Sequence, residues 1–261
     1  MQAFAYTRPA TLADALRAAA QDDVRPIAGG QTLLQAMKLG LMAPAALVDL
    51  GGLAELQGIQ VDRGTVTIGA GVSHAAVAAS AAVRRAIPAL ADLAHRIGDR
   101  QVRHRGTLGG SLANNDPAAC YPAAVLALGA TIHTDRRAIA ADEFFAGIYT
   151  TALAEGELIT AVSFPIPERA GWQKFKQPAS RFALVGVFVA RGPAGVRVAV
   201  TGAGASGVFR ATALEARLAA DWSAAALEGT SVDAEGLNSD IHGSAEYRAA
   251  LIPVLAARAL A

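Results

Sequence analysis

The sequence predicts an α+β protein in three parts: a small α/β unit, a larger α+β unit, and a C-terminal sheet carrying helices. Three observations predict it. Short apolar strands alternate with helical stretches as far as Leu50. Alanine-rich helices then follow a strand at Thr65–Gly69, and the last third turns to strand-like runs before two final helices. Breaker residues fall between these regimes, at Gly51-Gly52 and Gly58 and again at Pro165-Ile-Pro167. The expected units are 1–57, 58–167 and 168–261, and 261 residues give ample length for buried cores.

In chain order, Phe4-Ala-Tyr-Thr reads as a strand, and Thr11-Leu-Ala-Asp14 as a capping-box variant opening a helix through Ala20. Pro26–Ala28 is a short apolar run leading into Leu33, Leu34, Met37 and Leu41, spaced as one helical face. Ala46–Leu50 is an apolar strand. Ser73 caps an alanine-rich helix, and Pro88 starts another that runs to about Arg96. Asp116-Pro117 is read as an N-cap with a first-turn proline, opening the helix Ala118–Leu128. Strands are expected at Ala130–His133, Ala138–Ala141, Leu158–Phe164, Trp172–Gln177, Phe182–Ala190 and Val196–Thr201, and helices at Ala211–Ala220 and Ala245–Leu260.

Composition excludes several classes. A net charge of +1 gives no reason to expect nucleic acid or an anionic membrane as partner. The one cysteine, Cys120, permits neither an internal disulfide nor a cysteine-ligated iron–sulfur cluster on this chain. The first residues lack a basic-then-apolar leader and no apolar run approaches membrane-spanning length, so a cytoplasmic location is expected. The five histidines show no metal-ligand spacing, and no metal site is expected.

Two glycine loops carry the chemistry. Ile97–Asp116 puts Arg100, Arg103, Arg105 and the turn Thr107-Leu-Gly-Gly-Ser111 into one short connection. Adjacent glycines let a backbone approach a ligand closely, successive N–H groups form an anion-binding concavity, and Thr107 and Ser111 add hydroxyls. Taken singly, such a loop is more often a plain turn with solvated arginines beside it. The second loop, Ala28-Gly-Gly-Gln-Thr32, lies between a strand and a helix N-terminus, which favours negative charge. Together the loops read as two sides of a pyrophosphate clamp. Gly202-Ala-Gly-Ala-Ser-Gly207 also fits a dinucleotide fingerprint, but the strand before it belongs to a hairpin and no acidic strand end follows. A tight structural turn is the better reading there, with NAD binding the lesser alternative.

Ala28-Gly-Gly-Gln-Thr32 and the longer run Gln101–Pro117 resemble the paired FAD-binding signatures of the medium subunit of molybdenum hydroxylases. That family includes aerobic carbon monoxide dehydrogenases and xanthine dehydrogenases. The similarity runs on through Cys120–Ala130 and Phe175–Gly186. It implies a two-part FAD-binding region followed by a C-terminal flavoprotein domain, with non-covalent FAD. The pyrophosphate is then expected at Ala28, Gly29, Gly30, Gln31, Thr32 and Leu33 and at Thr107, Gly109, Gly110 and Ser111. Ile97 is expected to pack near the ring, Ile159 to supply a backbone or side-chain contact, and Lys176 to lie close to the flavin or its rim; on composition alone the first two are ordinary core residues and the third an exposed strand lysine. Cys120 stands where relatives commonly carry an acid that accepts from the cofactor's hydroxyls. A thiol is a poor acceptor; either Asp116 or Asn115 takes over that role or the contact is missing. Arg181 likewise replaces a common Asp. No side chain of this chain is expected to act as acid or base on an organic substrate. The resemblance further implies a large molybdenum-cofactor subunit and a small subunit with [2Fe-2S] clusters, as a dimer of heterotrimers. Electrons would reach this FAD from those clusters and leave to an external acceptor. The alternative is a free-standing FAD oxidoreductase with its own substrate site.

Overall fold

The structure, a computed structural model, describes residues 1–260. Its first sheet is parallel. The chain runs β1 (Ala5–Thr7), α1 (Leu12–Ala19), β2 (Val24–Ile27), α2 (Leu33–Lys38) and β3 (Ala46–Asp49), and β3 lies between the other two strands. Parallel neighbours need a crossover, which α1 and α2 supply. Thr11 caps α1 by accepting from the Asp14 N–H, as its spacing predicts.

The second sheet is antiparallel, in the order β4-β5-β10-β6-β7. It begins with β4 (Ile59–Asp62) and β5 (Thr65–Gly69). Six helices follow: α3 (His74–Ala79), α4 (Ala81–Ala86), α5 (Pro88–His95), α6 (Arg100–Arg105), α7 (Leu108–Asn114) and α8 (Tyr121–Ala127). Then come β6 (Thr131–Thr134), β7 (Ala138–Ala140), the short α9 (Ala141–Phe144), the small hairpin β8 (Phe145–Gly147) and β9 (Thr150–Thr151), and β10 (Ile159–Pro165). Strand β10 is thus the last in sequence yet central in the sheet. Val66, Ile68, Ile132, Val162 and Phe164 point from this sheet into a core shared with Leu90, Leu93, Leu112 and the apolar α8.

The third sheet is a meander of β11 (Arg169–Lys176), β12 (Ala183–Gly192), β13 (Gly195–Thr201) and β14 (Phe209–Arg210). One face packs Val185, Val187, Val189, Val198 and Val200 under α10 (Thr212–Ala220) and α11 (Ala245–Ala259). Sequence reading expects helices on one face only. The other face is covered as well, because Trp172, Phe188, Ala190 and Ala199 join the core built around α5 and α8. Burial on both faces explains why β12 reads as a continuous apolar run rather than an alternating one. Each fully buried side chain of Phe188 size contributes roughly 1.5–3 kcal/mol.

Three expectations change. The connection Ile97–Asp116 forms two short helices, α6 and α7, so Gly109-Gly110 lies in a first helical turn rather than an open loop. Helix α8 starts at Tyr121, not Ala118, because the Asp116 side chain accepts from the Ala118 N–H and closes a turn. Strand β4 and the β8–β9 hairpin are additions; β4 carries a visible alternation, Ile59 and Val61 against Gln60 and Asp62. Gly202–Gly207 leads from β13 into β14, its antiparallel neighbour, and not directly into a helix. Buried Arg248 donates to the carbonyls of Gly202 (3.0 Å) and Leu184 (2.8 Å), fixing it as a structural turn.

Candidate functional site

A cavity of about 1000 Å³ takes its wall from elements of all three sheets, at the upper end of the size range of cofactor sites. Of the sequence-derived candidates, Ala28, Gly29, Gly30, Gln31, Thr32, Leu33, Ile97, Thr107, Gly109, Gly110, Ser111, Asp116 and Ile159 line it. Asn115 and Lys176 do not.

The first glycine loop leaves β2 and enters α2. Gly30 holds φ +69°, a left-handed conformation that other residues adopt with strain. A Cβ on Gly29 would run into the Arg105 carbonyl, so this loop rests directly on the end of α6. Among the described residues, none of the Gly29, Gly30, Gln31 and Thr32 N–H groups donates to an acceptor. Four adjacent free donors at a cavity wall suit an anion's oxygens.

The second loop behaves differently. Thr107 Oγ1 accepts from the Gly110 N–H at 3.1 Å, capping α7. The Leu108 and Gly109 N–H groups donate to the Val72 and Ala70 carbonyls at 3.0 and 2.8 Å. Those donors, expected to face an anion, are spent on the β5–α3 connection. Gly109 is needed for packing, since a Cβ there would lie 2.6 Å from the Ala70 Cβ. Gly110 is the residue that faces the cavity: it is exposed, and its added Cβ would meet only Thr107 Oγ1 and, at 4.0 Å, the Ala28 Cβ across the gap. The two loops therefore face each other at Ala28 and Gly110. Ser111 lines the same stretch with its hydroxyl uncommitted among the described residues.

Asn115 takes φ +43° at the end of α7, and its amide donates to the Gly147 and Thr150 carbonyls, both at 2.8 Å. It is a buried structural tie to the β8–β9 hairpin. Asp116 lines the cavity with one carboxylate oxygen on Ala118 N–H and the other 3.4 Å from the Tyr149 hydroxyl.

Ile97 and Ile159 wall another part of the cavity together with Cys120, Phe182 and Lys174. Lys174 is the lysine that reaches the site; Lys176 is exposed. The two share a strand and a parity, but the register shifts between Phe175 and Lys176, and only Lys174 keeps the inward setting of Trp172. Lys174 Nζ donates to the carbonyls of Arg96 (2.6 Å) and Arg181 (3.1 Å) and sits 3.5 Å from Cys120 Sγ. Arg181, at φ +62°, thus serves through its backbone. Burial pushes the Cys120 thiol up, with Lys174 pulling the other way.

Two histidines line the cavity, His104 and His74. His74 is buried beneath Gly106, whose added Cβ would stand 2.5 Å from the ring. Burial, with Arg103 adding to it, lowers His74 to about 4, so the ring is neutral. Its Nδ1 and the hydroxyl of neighbouring Tyr121 lack partners among the described residues. Arg103 points back onto the Ile97 and Gly98 carbonyls at 3.0 and 3.2 Å, holding the bend that presents Ile97. Glu157, another lining residue, accepts from Arg137, Thr134 and Ala154, and Arg137 above all holds it at about 2. Sequence reading finds neither His74 nor Glu157, since their partners lie far along the chain. Among the described residues no group of three or more His, Cys, Asp or Glu could hold a metal.

Comparison with known proteins gives consistent neighbours. The family described as "FAD binding domain in molybdopterin dehydrogenase" matches residues 2–167. The nicotine 6-hydroxylase medium subunit of Paenarthrobacter nicotinovorans is 36% identical, over 100% of this chain and 97% of that protein. The carbon monoxide dehydrogenase medium chain of Afipia carboxidovorans is 31% identical, over 98% and 95%. Among solved structures, quinoline 2-oxidoreductase from Pseudomonas putida 86 superposes with a TM-score of 0.87 at 32% identity, covering 99% of this chain and 96% of that one. Carbon monoxide dehydrogenase from Hydrogenophaga pseudoflava gives 0.88 at 31%, covering 98% and 96%.

Proposed function

The chain belongs to the FAD-binding medium subunits of the molybdenum hydroxylases, and from that premise we propose that it relays electrons within a larger complex. Substrate is oxidised at a molybdenum cofactor on a large subunit. Electrons then pass through [2Fe-2S] clusters on a small subunit to FAD on this chain and on to an external acceptor. The complex is a dimer of heterotrimers, and FAD is held without a covalent bond.

The close approach of the two glycine loops at Ala28 and Gly110, on one stretch of the cavity wall, carries this reading. Beside the point where they meet, a pyrophosphate would find the Gly29–Thr32 N–H groups free to donate and the Ser111 and Thr107 hydroxyls on the other loop. Bound FAD supplies the redox chemistry; the chain's residues bind, orient and enclose it. Ile97, Ile159 and Phe182 offer apolar contact to a flat ring, and Asp116 accepts from hydroxyls better than the Cys120 thiol. With the Leu108 and Gly109 donors committed elsewhere, the first loop does most of the anion binding, and Gly110 contributes by making room.

Acid precipitation of the purified chain tests cofactor and attachment together: FAD should appear in the supernatant. Flavin left in the pellet, or FMN in its place, refutes the reading. Affinity purification should recover a large molybdenum-containing and a small iron–sulfur partner. Turnover of an aldehyde, a purine or carbon monoxide by the metal-free chain alone would favour the free-standing oxidoreductase instead.

A further inference from the structure

We infer that His74 is a further ligand-contacting residue: at the seam between the two glycine loops it presents a neutral Nε2–H donor to a phosphate oxygen of the molecule that the cavity holds. The inference rests on the proposed function above and adds to the anion site a donor that lies in neither loop.

Contacts on both sides build the seam. A Cβ on Gly29 would lie 2.7 Å from the Gly106 Cα, so the first loop rests on Gly106. A Cβ on Gly106 would in turn stand 2.5 Å from His74 Nε2. The His74 N–H donates to the Gly106 carbonyl at 2.9 Å, and Ser73 pairs with Thr107, where the second loop begins. His74, Gly29, Gly106 and Thr107 all line the one cavity. A phosphate held by both loops therefore meets this ring where they join. On the second loop the Leu108 and Gly109 N–H groups are spent on the Val72 and Ala70 carbonyls, which leaves that side short of donors.

The ring's own hydrogen bonds settle which nitrogen faces the ligand. His74 is 5% exposed, and its Nδ1 is sealed and without a partner. Nε2 has no partner among the described residues either, yet it is not sealed, so it is the nitrogen that the cavity reaches. The Tyr121 hydroxyl, on a neighbouring ring 5.3 Å away between centroids, is likewise sealed and unpartnered. Buried groups left unpaired are costly. One bond repairs both when the hydroxyl donates to Nδ1. The reverse, Nδ1–H donating to the hydroxyl oxygen, leaves the Tyr121 proton without an acceptor. The imidazole proton is thus set on Nε2. Burial first, then Arg103, lowers the ring to about 4, so a donor without a charge faces the cavity. An acceptor oxygen pairs with it, and the free Gly29–Thr32 N–H groups alongside select a phosphate.

The test uses the full chain, stripped of FAD and shown to be folded by circular dichroism. It measures affinity for FAD by flavin fluorescence and for ADP by competition with FAD, since both carry a pyrophosphate and only FAD a flavin ring. His74→Phe should weaken both by the same factor, about tenfold or more for a lost bond to a charged group. His74→Gln, whose amide nitrogen reaches as far as Nε2, should restore most of each affinity. His74→Asn, whose amide reaches only as far as Nδ1, should not. The imidazole nitrogen NMR spectrum of the wild-type chain should show His74 protonated at Nε2 and should shift when ADP is added; Tyr121→Phe should move part of that proton to Nδ1. If His74→Phe fails to fold, the wild-type spectrum and its response to ADP decide alone. Equal affinities in folded His74→Gln and His74→Asn, a loss confined to FAD with ADP unaffected, or a proton on Nδ1 in the wild-type chain would each overturn the inference. A wild-type chain that takes up neither FAD nor ADP overturns the functional reading and this inference with it; FAD uptake with unchanged His74 variants overturns this inference alone.

Discussion

Gly110 and His74 show how much a single position decides. Gly110 lies close to the Ala28 Cβ at the cavity wall, so a branched side chain would wedge the two loops apart and press on the Thr107 hydroxyl 2.9 Å away. Gly110→Val is expected to abolish FAD binding. Gly204 sits in the false dinucleotide motif, where a Cβ would strike the Gly207 carbonyl and the Phe209 ring, away from the cavity. Gly204→Val should cost stability and keep FAD. Flavin fluorescence titration on variants shown to be folded by circular dichroism separates the two, and the opposite pattern would mean that the cofactor is assigned to the wrong glycines. His74 acts through protonation. Held at about 4 against an ordinary 6.5, it stays neutral in the folded chain while the unfolded chain takes up a proton. Its contribution is complete above pH 6.5 and is lost as pH falls toward 4, by on the order of 3 kcal/mol at most. His74→Phe, which keeps the contact with Tyr121, should flatten the stability curve in that window when urea melts at pH 6.5 and 4.5 are compared. An unchanged slope would show that the imidazole titrates freely.

Between elements, the ties that shape the cavity are side chain to backbone. Thr107 starts α7, Asp116 delays α8, and Arg103 fixes the bend before α6. Thr201 Oγ1 lies 3.0 and 2.7 Å from the Pro117 and Ala119 carbonyls, its single proton serving one at a time, and so anchors this segment to the third sheet. Glu157 joins the segment after β9 to β6 through Arg137 and Thr134. Its folded value near 2 lies below the ordinary 4.5, so its stabilisation is present above pH 4.5 and disappears as pH falls toward 2. Because Arg137 is about half exposed, solvent screening reduces the contribution to on the order of 2 kcal/mol. Glu157→Gln should lose that amount at pH 7 and much less at pH 3, measured by chemical denaturation. Equal losses at both values would mean that the carboxylate's charge is not what holds the segment.

At the scale of the molecule, the three sheets occupy residues 5–49, 59–165 and 169–210, and the cavity draws on all three. We propose the units 1–57, 58–167 and 168–261 as domains in this spatial sense. They are not expected to be independent. The third sheet buries Trp172 and Phe188 against α5 and α8, so a fragment of residues 168–261 would expose a large apolar face. That fragment should aggregate or bind a hydrophobic dye when expressed alone, and should become monodisperse when co-expressed with residues 1–167. A monodisperse, dye-silent fragment would contradict this dependence. Among the described residues no helix is long and apolar enough to cross a membrane.

What the sequence determines by itself is whatever short-range rules encode. Capping residues, glycine pairs and apolar periodicity place the α1, α3 and α5 starts, most strands and the glycine turn between β2 and α2, since each depends on neighbours within a few residues. The single cysteine likewise settles that no cysteine-ligated cluster sits on this chain. Tertiary structure decides the rest. Lys174 and Lys176 are alike in sequence, and only a register shift against β12 turns one inward. Leu108 and Gly109 look like free donors until the carbonyls of Val72 and Ala70, far back in the chain, arrive to accept from them. Lys174 and Cys120, 54 residues apart, acquire a relation only when β11 packs beside α5 and its neighbour β12 beside α8. The physical reason is common to all three: a backbone donor or a buried charge is defined by what approaches it, and long-range packing alone determines that approach.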